Sequence, residues 1–275
     1  MPNRIRSPVM NDRYTHGHQE SVVAAHATRT IANSAAYLAS HLLPGISLLD
    51  VGCGPGSITA EFADRVSPGG NVLGIDYSSE VVERAADTYA STEVDLAFAQ
   101  MDLYALDVAD DSFDVVHAHQ VLQHVSDPVA ALREMHRVAR PGGIIAVRDA
   151  DYAGMHWAPD SPQLDTWLDV YRNVAKANDA EPDAGRHLIR WAREAGLVDV
   201  TASIDAWLFA TPDRRAWWGG TWADRVVSSS LAEQAQELGL ASAEDLTAMA
   251  AGWRAWIDEQ DGWFVCPHAQ LIIRT

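Results

Sequence analysis

Residues 48–59 read Leu-Leu-Asp-Val-Gly-Cys-Gly-Pro-Gly-Ser-Ile-Thr, a run whose residue types and spacing suit ligand binding. Glycine at alternate positions, Gly52, Gly54 and Gly56, lets a chain turn tightly and approach a ligand without Cβ interference. The acid Asp50 closes an apolar strand before the turn, and a helical pattern opens at Ser57. A strand, turn and helix in this order hold a nucleoside-containing ligand at the carboxyl edge of a parallel sheet. The dinucleotide fingerprint needs a third glycine where Ser57 stands, and a P-loop needs a Gly-Lys-Ser/Thr ending that is missing here. No lysine or arginine lies in or just after the turn. The turn therefore suits a nucleoside without phosphates.

Two further acids stand where such a ligand would need them. Asp76 ends the second strand, 20 residues after Gly56, where a carboxylate can accept both ribose hydroxyls; a plain helix N-cap is its other reading. Asp102 closes the third βα segment, able to accept from an exocyclic amino group, with Met101 and Leu103 on either side of the ring; a solvated loop acid is the alternative. The stretch His117-Ala118-His119-Gln120-Val121-Leu122-Gln123-His124 is rich in imidazole, the natural base at neutral pH. Of these, His117 reads as structural, His119 as a cofactor contact and His124 as a candidate base. Asp149 and Asp151 leave the fifth strand at the ligand edge and are the other candidate catalytic groups, with Tyr152 beside them to pack on an acceptor; caps or a salt bridge with Arg148 would explain the acids equally well. No carboxylates sit at metal-ligand spacing beside these histidines, so no metal is expected.

The elements that must position these residues follow from patterning. Strands at 46–51, 71–76, 94–99, 113–118 and 144–149 alternate with helices at 57–66, 79–90 and 128–139, which predicts βαβ units around a parallel sheet. Helices at 161–176 and 184–195, a strand at 198–209, a wholly helical stretch at 212–259 and a last strand at 263–273 complete the chain. Pro267 in that strand predicts a bulge or an edge position. Residues 21–43 repeat at helical spacing ahead of the first strand. The chain of 275 residues has a formal net charge of −18, which disfavours nucleic acid or an anionic membrane as partner. No apolar run reaches the roughly 18 residues of a membrane helix. With Cys53 and Cys266 isolated from each other and no secretion signal, a cytoplasmic location is expected.

In Asp50 to Gly56, Asp76, Asp102, Phe113-Asp114-Val115-Val116, and Glu134 with Arg137 to Gly143, the chain resembles the class I S-adenosylmethionine-dependent methyltransferases. The likeness is strongest over residues 45–150 and leans toward the ubiquinone/menaquinone C-methyltransferase-like branch. It implies a doubly wound Rossmann-like α/β sheet of seven strands in order 3-2-1-4-5-7-6, with the last strand antiparallel. It implies S-adenosylmethionine as cofactor and S-adenosylhomocysteine as product. Gly52, Cys53, Gly54 and Gly56 would approach the methionine and ribose portions, and Asp50 would face the amino group. Asp76 with Tyr77 would hold the ribose, Met101, Asp102 and Leu103 the adenine, and His119 and Gln120 the methionine end. Tyr14 and Arg29 belong to an N-terminal helical lid, residues 1–44, in which Arg29 would pair with the cofactor carboxylate; a solvated tail and a packing helix are the other reading. The core would span residues 45–210 and 261–275, and the insertion 211–260 would roof the acceptor site. All ten tryptophans follow residue 156. Most belong to a core, and Tyr152, Trp157 and Trp218 are candidates to line an apolar pocket. The expected reaction is methyl transfer to a small hydrophobic acceptor, aromatic or quinone-like. An NAD(P)-dependent oxidoreductase and a methyltransferase-like protein that binds the cofactor without methylating are the competing readings.

Overall fold

In a computed structural model, which describes residues 28–275, the neighbouring apolar residues Leu48-Leu49, Val115-Val116 and Ile144-Ile145 divide between two cores on opposite faces of one sheet. Alternate residues of a strand point to opposite faces, so a strand buried on both sides reads as a continuous apolar run. The strands are β1 (Ser47–Val51), β2 (Asn71–Asp76), β3 (Leu96–Gln100), β4 (Phe113–His119), β5 (Ala139–Ala150), β6 (His156–Ala158), β7 (Val200–Phe209) and β8 (Trp263–Arg274). The helices are α1 (Ile31–Ser34), α2 (Ser57–Val66), α3 (Ser79–Thr88), α4 (Pro128–Val138), α5 (Pro162–Ala177), α6 (Leu188–Glu194), α7 (Pro212–Ser228), α8 (Ser230–Glu237) and α9 (Ala243–Ile257).

The sheet runs β3-β2-β1-β4-β5-β8, with β7 on the far side of β8. The first five strands are parallel, and β8 is antiparallel to β5, β6 and β7. This is the expected order with one addition: the three-residue β6 also pairs with β8. A segment that short between turns carries no alternating pattern by which sequence could reveal it.

Pro267 lies at no bulge in the β7–β8 ladder, and on its other side it sits at a local edge. It pairs in register with Ala206 of β7, inside a strand with neighbours on both sides. On its other side β5 ends opposite His268 and β6 begins opposite Val265. The Pro267 carbonyl faces that break and accepts from the Asp151 N–H at 3.0 Å. A residue's N–H and C=O point the same way in a strand, so the missing donor falls where no strand needs one.

The N-terminal lead-in differs from the expected helix over 21–43. Its described part is the single turn α1 followed by a 3₁₀ segment, Ala36–His41. Ile31, Leu38 and Leu42 bury against Phe62 and Val66 of α2. The stretch expected to be wholly helical is three helices, α7 to α9, separated at Ser229 and at 238–242. Each begins on a side-chain cap: Thr211, Ser229 and Ser242 accept from Arg214, Leu231 and Asp245 N–H groups. These helices pack with α5 and with Phe209, Phe264 and Cys266 of the sheet into a third core that includes Trp167, Trp222, Trp253 and Trp256. Among the described residues, no helix is long and apolar enough to cross a membrane.

Candidate active site

The carboxyl ends of β1 to β4 open onto a cavity of about 520 Å³, the location ligands take in an open α/β sheet. Turn 52–56 forms one wall. Gly52, Gly54 and Gly56 adopt φ of 67°, 54° and 81°, the left-handed region that glycine enters freely. A Cβ on Gly52 would stand 2.4 Å from Val121 Cγ2, so the turn presses against the loop that follows β4. A Cβ on Gly54, which lines the cavity, would meet nothing within 4 Å. That open cradle fits a ligand laid along the backbone. Gly56 lies behind the cavity, where a Cβ would meet Phe98 at 2.8 Å, and it begins α2. The Cys53 N–H donates to the Ile75 carbonyl at 2.9 Å and ties the turn to β2. Burial raises the Cys53 thiol well above its ordinary pKa, so it stays protonated.

Asp50 is buried in the cavity wall with both oxygens engaged. Thr59 Oγ1 donates to one at 2.6 Å, and His117 Nδ1 meets the other at 2.7 Å. His117 itself is sealed against Phe62. Asp76 accepts from the Gly54 N–H and the Ser78 N–H, each at 3.1 Å, and so joins the glycine turn to the start of α3. Asp102 accepts from the Tyr104 N–H at 2.9 Å, while Met101, Leu103 and the exposed Tyr77 line the same end.

At the end of β4, Gln120 adopts a left-handed φ of 55°, a strain that a non-glycine residue keeps only where surrounding contacts enforce it. Its N–H donates to the Arg148 carbonyl at 2.7 Å, its Oε1 accepts from Arg29, and its amide nitrogen meets His268 Nε2 at 2.8 Å. Arg29 lies over the Trp207 ring at 5.6 Å. His119 lines the cavity beside Trp207 and His268. Burial, reinforced by Arg29 and Arg148, holds its pKa well below the ordinary histidine value, so the ring is neutral.

The three expected catalytic groups do not converge on one point. His124 lines the cavity, but burial and Arg29 push it down to about 3, which makes it a weak base at neutral pH. Asp149 is fully buried away from the cavity lining, where it accepts from the Gln123 N–H at 3.0 Å and anchors the turn 122–124. Asp151, also away from the lining, is held by Arg186 in a two-oxygen pair at 2.7–3.1 Å. Of the expected acceptor contacts, Tyr152 and Trp218 line the cavity. Trp157 does not; it stacks on Phe264 at 5.5 Å in the third core. Tyr14 lies outside the described residues.

The far end of the cavity is walled by Trp207 and Phe209 of β7 and by Trp217, Trp218, Trp222, Arg214 and Arg225 of α7, with Cys266 beside them. Phe209 and Trp218 stack at 4.4 Å. Sequence reading passed over Phe209, Cys266 and the two arginines. The available signal was spacing: 214, 218, 222 and 225 share one face of a helix. Among the described residues, no group of three or more His, Cys, Asp or Glu side chains is placed to hold a metal.

Burial pushes Asp149 up to about 8 against the helping N–H groups of residues 121–123. A folded-state pKa above the unfolded value means that the folded chain binds the extra proton, so this group's contribution to stability is lost as pH rises through the window from about 4 to 8. Asp149→Asn keeps the acceptor for Gln123 and removes the titration. The expected result is a stability equal to the parent's below about pH 4, where Asp149 is neutral in both states, and greater at pH 8, the gap growing by at most about 1.4 kcal/mol per pH unit. Urea denaturation at the two pH values checks this; parallel pH profiles would refute it.

Known proteins now bear on this geometry. The chain is 30% identical to an uncharacterized methyltransferase of Schizosaccharomyces pombe over 95% of its own length and 96% of the relative's. It is 36% identical to the demethylmenaquinone methyltransferase of Beutenbergia cavernae over 56% of this chain and 63% of that one. The fold is similar to the crystal structure of the YcgJ protein from Bacillus subtilis, with a TM-score of 0.56 at 21% identity, covering 87% and 96% of the two chains. Residues 42–196 match the methyltransferase domain family. A G-x-G-x-G turn without cations, a cradle at Gly54 and acids after β2 and β3 are what a phosphate-free nucleoside needs. The chain belongs to the methyltransferase domain family and is an S-adenosylmethionine-dependent methyltransferase of Rossmann-like fold.

Proposed function

We propose that the enzyme methylates a small hydrophobic acceptor, aromatic or quinone-like, held against the aromatic end of the cavity. The single observation that carries this reading is the wall of Trp207, Phe209, Trp217, Trp218 and Trp222 facing the same cavity as the glycine turn. The likeness to a demethylmenaquinone methyltransferase supports it. In this reading Asp76 holds the ribose, Met101, Asp102 and Leu103 the adenine, and residues 52–54 the methionine portion. Thr28, Arg29, Asn33 and the helix α7 enclose the acceptor, with α8 and α9 packed behind α7. When bound, the cofactor supplies a methyl group already activated by its positive sulfur. The chain then has to align two reactants and exclude water, and alignment alone can remove roughly 7–11 kcal/mol of barrier. Aromatic faces also favour a nearby sulfonium. His124 is too weakly basic, and Asp149 and Asp151 are otherwise engaged, so the acceptor's proton is not assigned to any of the three.

The test is mass spectrometry of a panel of phenols and hydroquinones incubated with enzyme and S-adenosylmethionine. The expected product is an acceptor one methyl group heavier, with S-adenosylhomocysteine in equal amount. Methylation confined to peptides or nucleic acid would exclude the acceptor class. Cofactor binding with no turnover on any acceptor would favour the non-methylating reading. In the same preparation, Asp76→Ala is expected to weaken S-adenosylhomocysteine binding at least about tenfold, ~1.4 kcal/mol, by calorimetric titration.

A further inference from the structure

A line of hydrogen bonds joins the cavity wall to the interior of the sheet at the end of β4. The Arg29 guanidinium donates to Gln120 Oε1, the Gln120 amide nitrogen meets His268 Nε2 at 2.8 Å, and His268 Nδ1 meets the Cys266 carbonyl oxygen at 3.0 Å. Arg29 and Gln120 line the cavity; His268 on β8 does not and is fully buried. These contacts, with the bond from the Gln120 N–H to the Arg148 carbonyl, keep Gln120 at its left-handed φ of 55°.

Each of these bonds has only one workable direction. A carbonyl oxygen only accepts, so His268 Nδ1 carries a hydrogen. Burial, reinforced by Arg148 and Arg29, holds the His268 pKa well below the ordinary histidine value, so the ring is neutral and Nε2 is a bare acceptor. The Gln120 amide must therefore turn its NH2 group to His268, which leaves Oε1 for Arg29. A flipped amide would set its oxygen against the Nε2 lone pair and its N–H groups against the guanidinium. The Cys266 thiol, pushed up to about 12 by burial and so protonated, is a second donor near Nε2, with Sγ at 3.9 Å. The Trp207 ring packs on the imidazole at 4.4 Å.

The cavity end of this line is a positive charge beside the glycine turn. Gln120 adjoins Val121, which presses on Gly52. Among the described residues, the other arginines that line the cavity, Arg214 and Arg225, lie on α7 at its aromatic end. A guanidinium carries five donors in a rigid plane, so fixing one N–H sets the direction of the rest, and it can hold several partners at once. We infer that His268 is a positioning residue for the cofactor: acting through the Gln120 amide, it aims Arg29 at the methionine carboxylate. This rests on the placing of the methionine portion at residues 52–54 with Arg29 as the carboxylate's partner, and it adds the buried group that fixes that partner.

Calorimetric titration with two probes tests this: S-adenosylhomocysteine, which carries the carboxylate, and 5′-methylthioadenosine, which lacks the amino-acid portion. His268→Phe and Arg29→Met should each weaken S-adenosylhomocysteine binding at least about tenfold and leave methylthioadenosine affinity unchanged. The double variant should bind S-adenosylhomocysteine no more weakly than Arg29→Met alone, because one residue acts through the other. His268→Gln, which keeps an acceptor on the side chain, should recover part of the loss. Additive losses overturn the inference, as do equal losses on both probes or full affinity in His268→Phe. Nitrogen NMR of the parent tests the geometry without any variant: His268 should be neutral at pH 7 with its proton on Nδ1, and a proton on Nε2 overturns the inference. A loss in Arg29→Met without one in His268→Phe defeats this inference alone. Full affinity in Arg29→Met defeats the reading of Arg29 as well, and a parent that binds neither probe defeats the function on which both rest.

Discussion

Replacing Gly52 by alanine is expected to weaken S-adenosylhomocysteine binding on the order of a hundredfold, ~2.7 kcal/mol, with far-ultraviolet circular dichroism unchanged. Two separate penalties combine. The residue holds φ at 67°, and an L-residue in the left-handed region costs roughly 1–2 kcal/mol. The new Cβ would also lie 2.4 Å from Val121 Cγ2. Valine has one strongly restricted torsion and cannot swing its methyl aside freely, so the turn or the loop after β4 must move. Overpacking of that kind costs typically about 1–3 kcal/mol. Both moving parts line the cavity, so the strain falls on binding geometry more than on the sheet. Combining Gly52→Ala with Val121→Ala separates the penalties, because it removes the overlap and keeps the backbone strain. The double variant should recover about half the lost binding energy. Full affinity in the single variant would show that residue 52 does not form part of the cofactor wall.

The legible part of this protein is the part built by local rules. Acids at strand ends, glycine at alternate positions and apolar runs of five or six residues specify β1 to β5, and the motif residues Asp50 to Gly54, Asp76 and Asp102 do come together around one cavity. Gly56 shows the limit of reading by motif, since it belongs to the same run yet turns its back on the cavity to let Phe98 and Tyr89 pack. The carboxylates after β5 were harder still. Asp149 and Asp151 sit at the ligand edge in sequence, but one is drawn under the turn 122–124 and the other is claimed by Arg186, 35 positions away. Nothing local to residues 149–151 announces either partner. His124 was legible in position and not in chemistry, because its pKa is set by burial, a property of the whole pocket. The aromatic end was least legible: Trp157 and Trp218 look alike in sequence, and only the register of β6 against β8, which sets Trp157 opposite Phe264, and the face of α7 keep one off the cavity and put the other on it.

That aromatic end also makes the largest stability prediction. Trp253 on α9 is fully buried and meets Trp167 edge-on at 4.9 Å, Phe264 at 5.5 Å and Trp256 at 5.7 Å. Trp253→Ala is expected to destabilise the chain by about 3–5 kcal/mol through lost transfer energy and the void left among rigid rings. A domain's whole stability is about 5–15 kcal/mol, so the variant should melt many degrees below its parent. The phenylalanine substitution tests the cause. Among the described residues the Trp253 Nε1 has no hydrogen-bond partner, so Trp253→Phe removes a buried, unsatisfied donor worth about 1–3 kcal/mol while giving up only part of the ring. Its net loss should stay below about 1.5 kcal/mol. Because the third core joins α5 and α7 to α9 to Phe209, Phe264 and Cys266 of the sheet, both variants should unfold in one transition in urea, reported alike by tryptophan fluorescence and circular dichroism. An early, separate fluorescence transition would mean that the helices between β7 and β8 come apart from the sheet on their own. A loss in Trp253→Phe as large as in Trp253→Ala would mean that the indole nitrogen has a partner that matters.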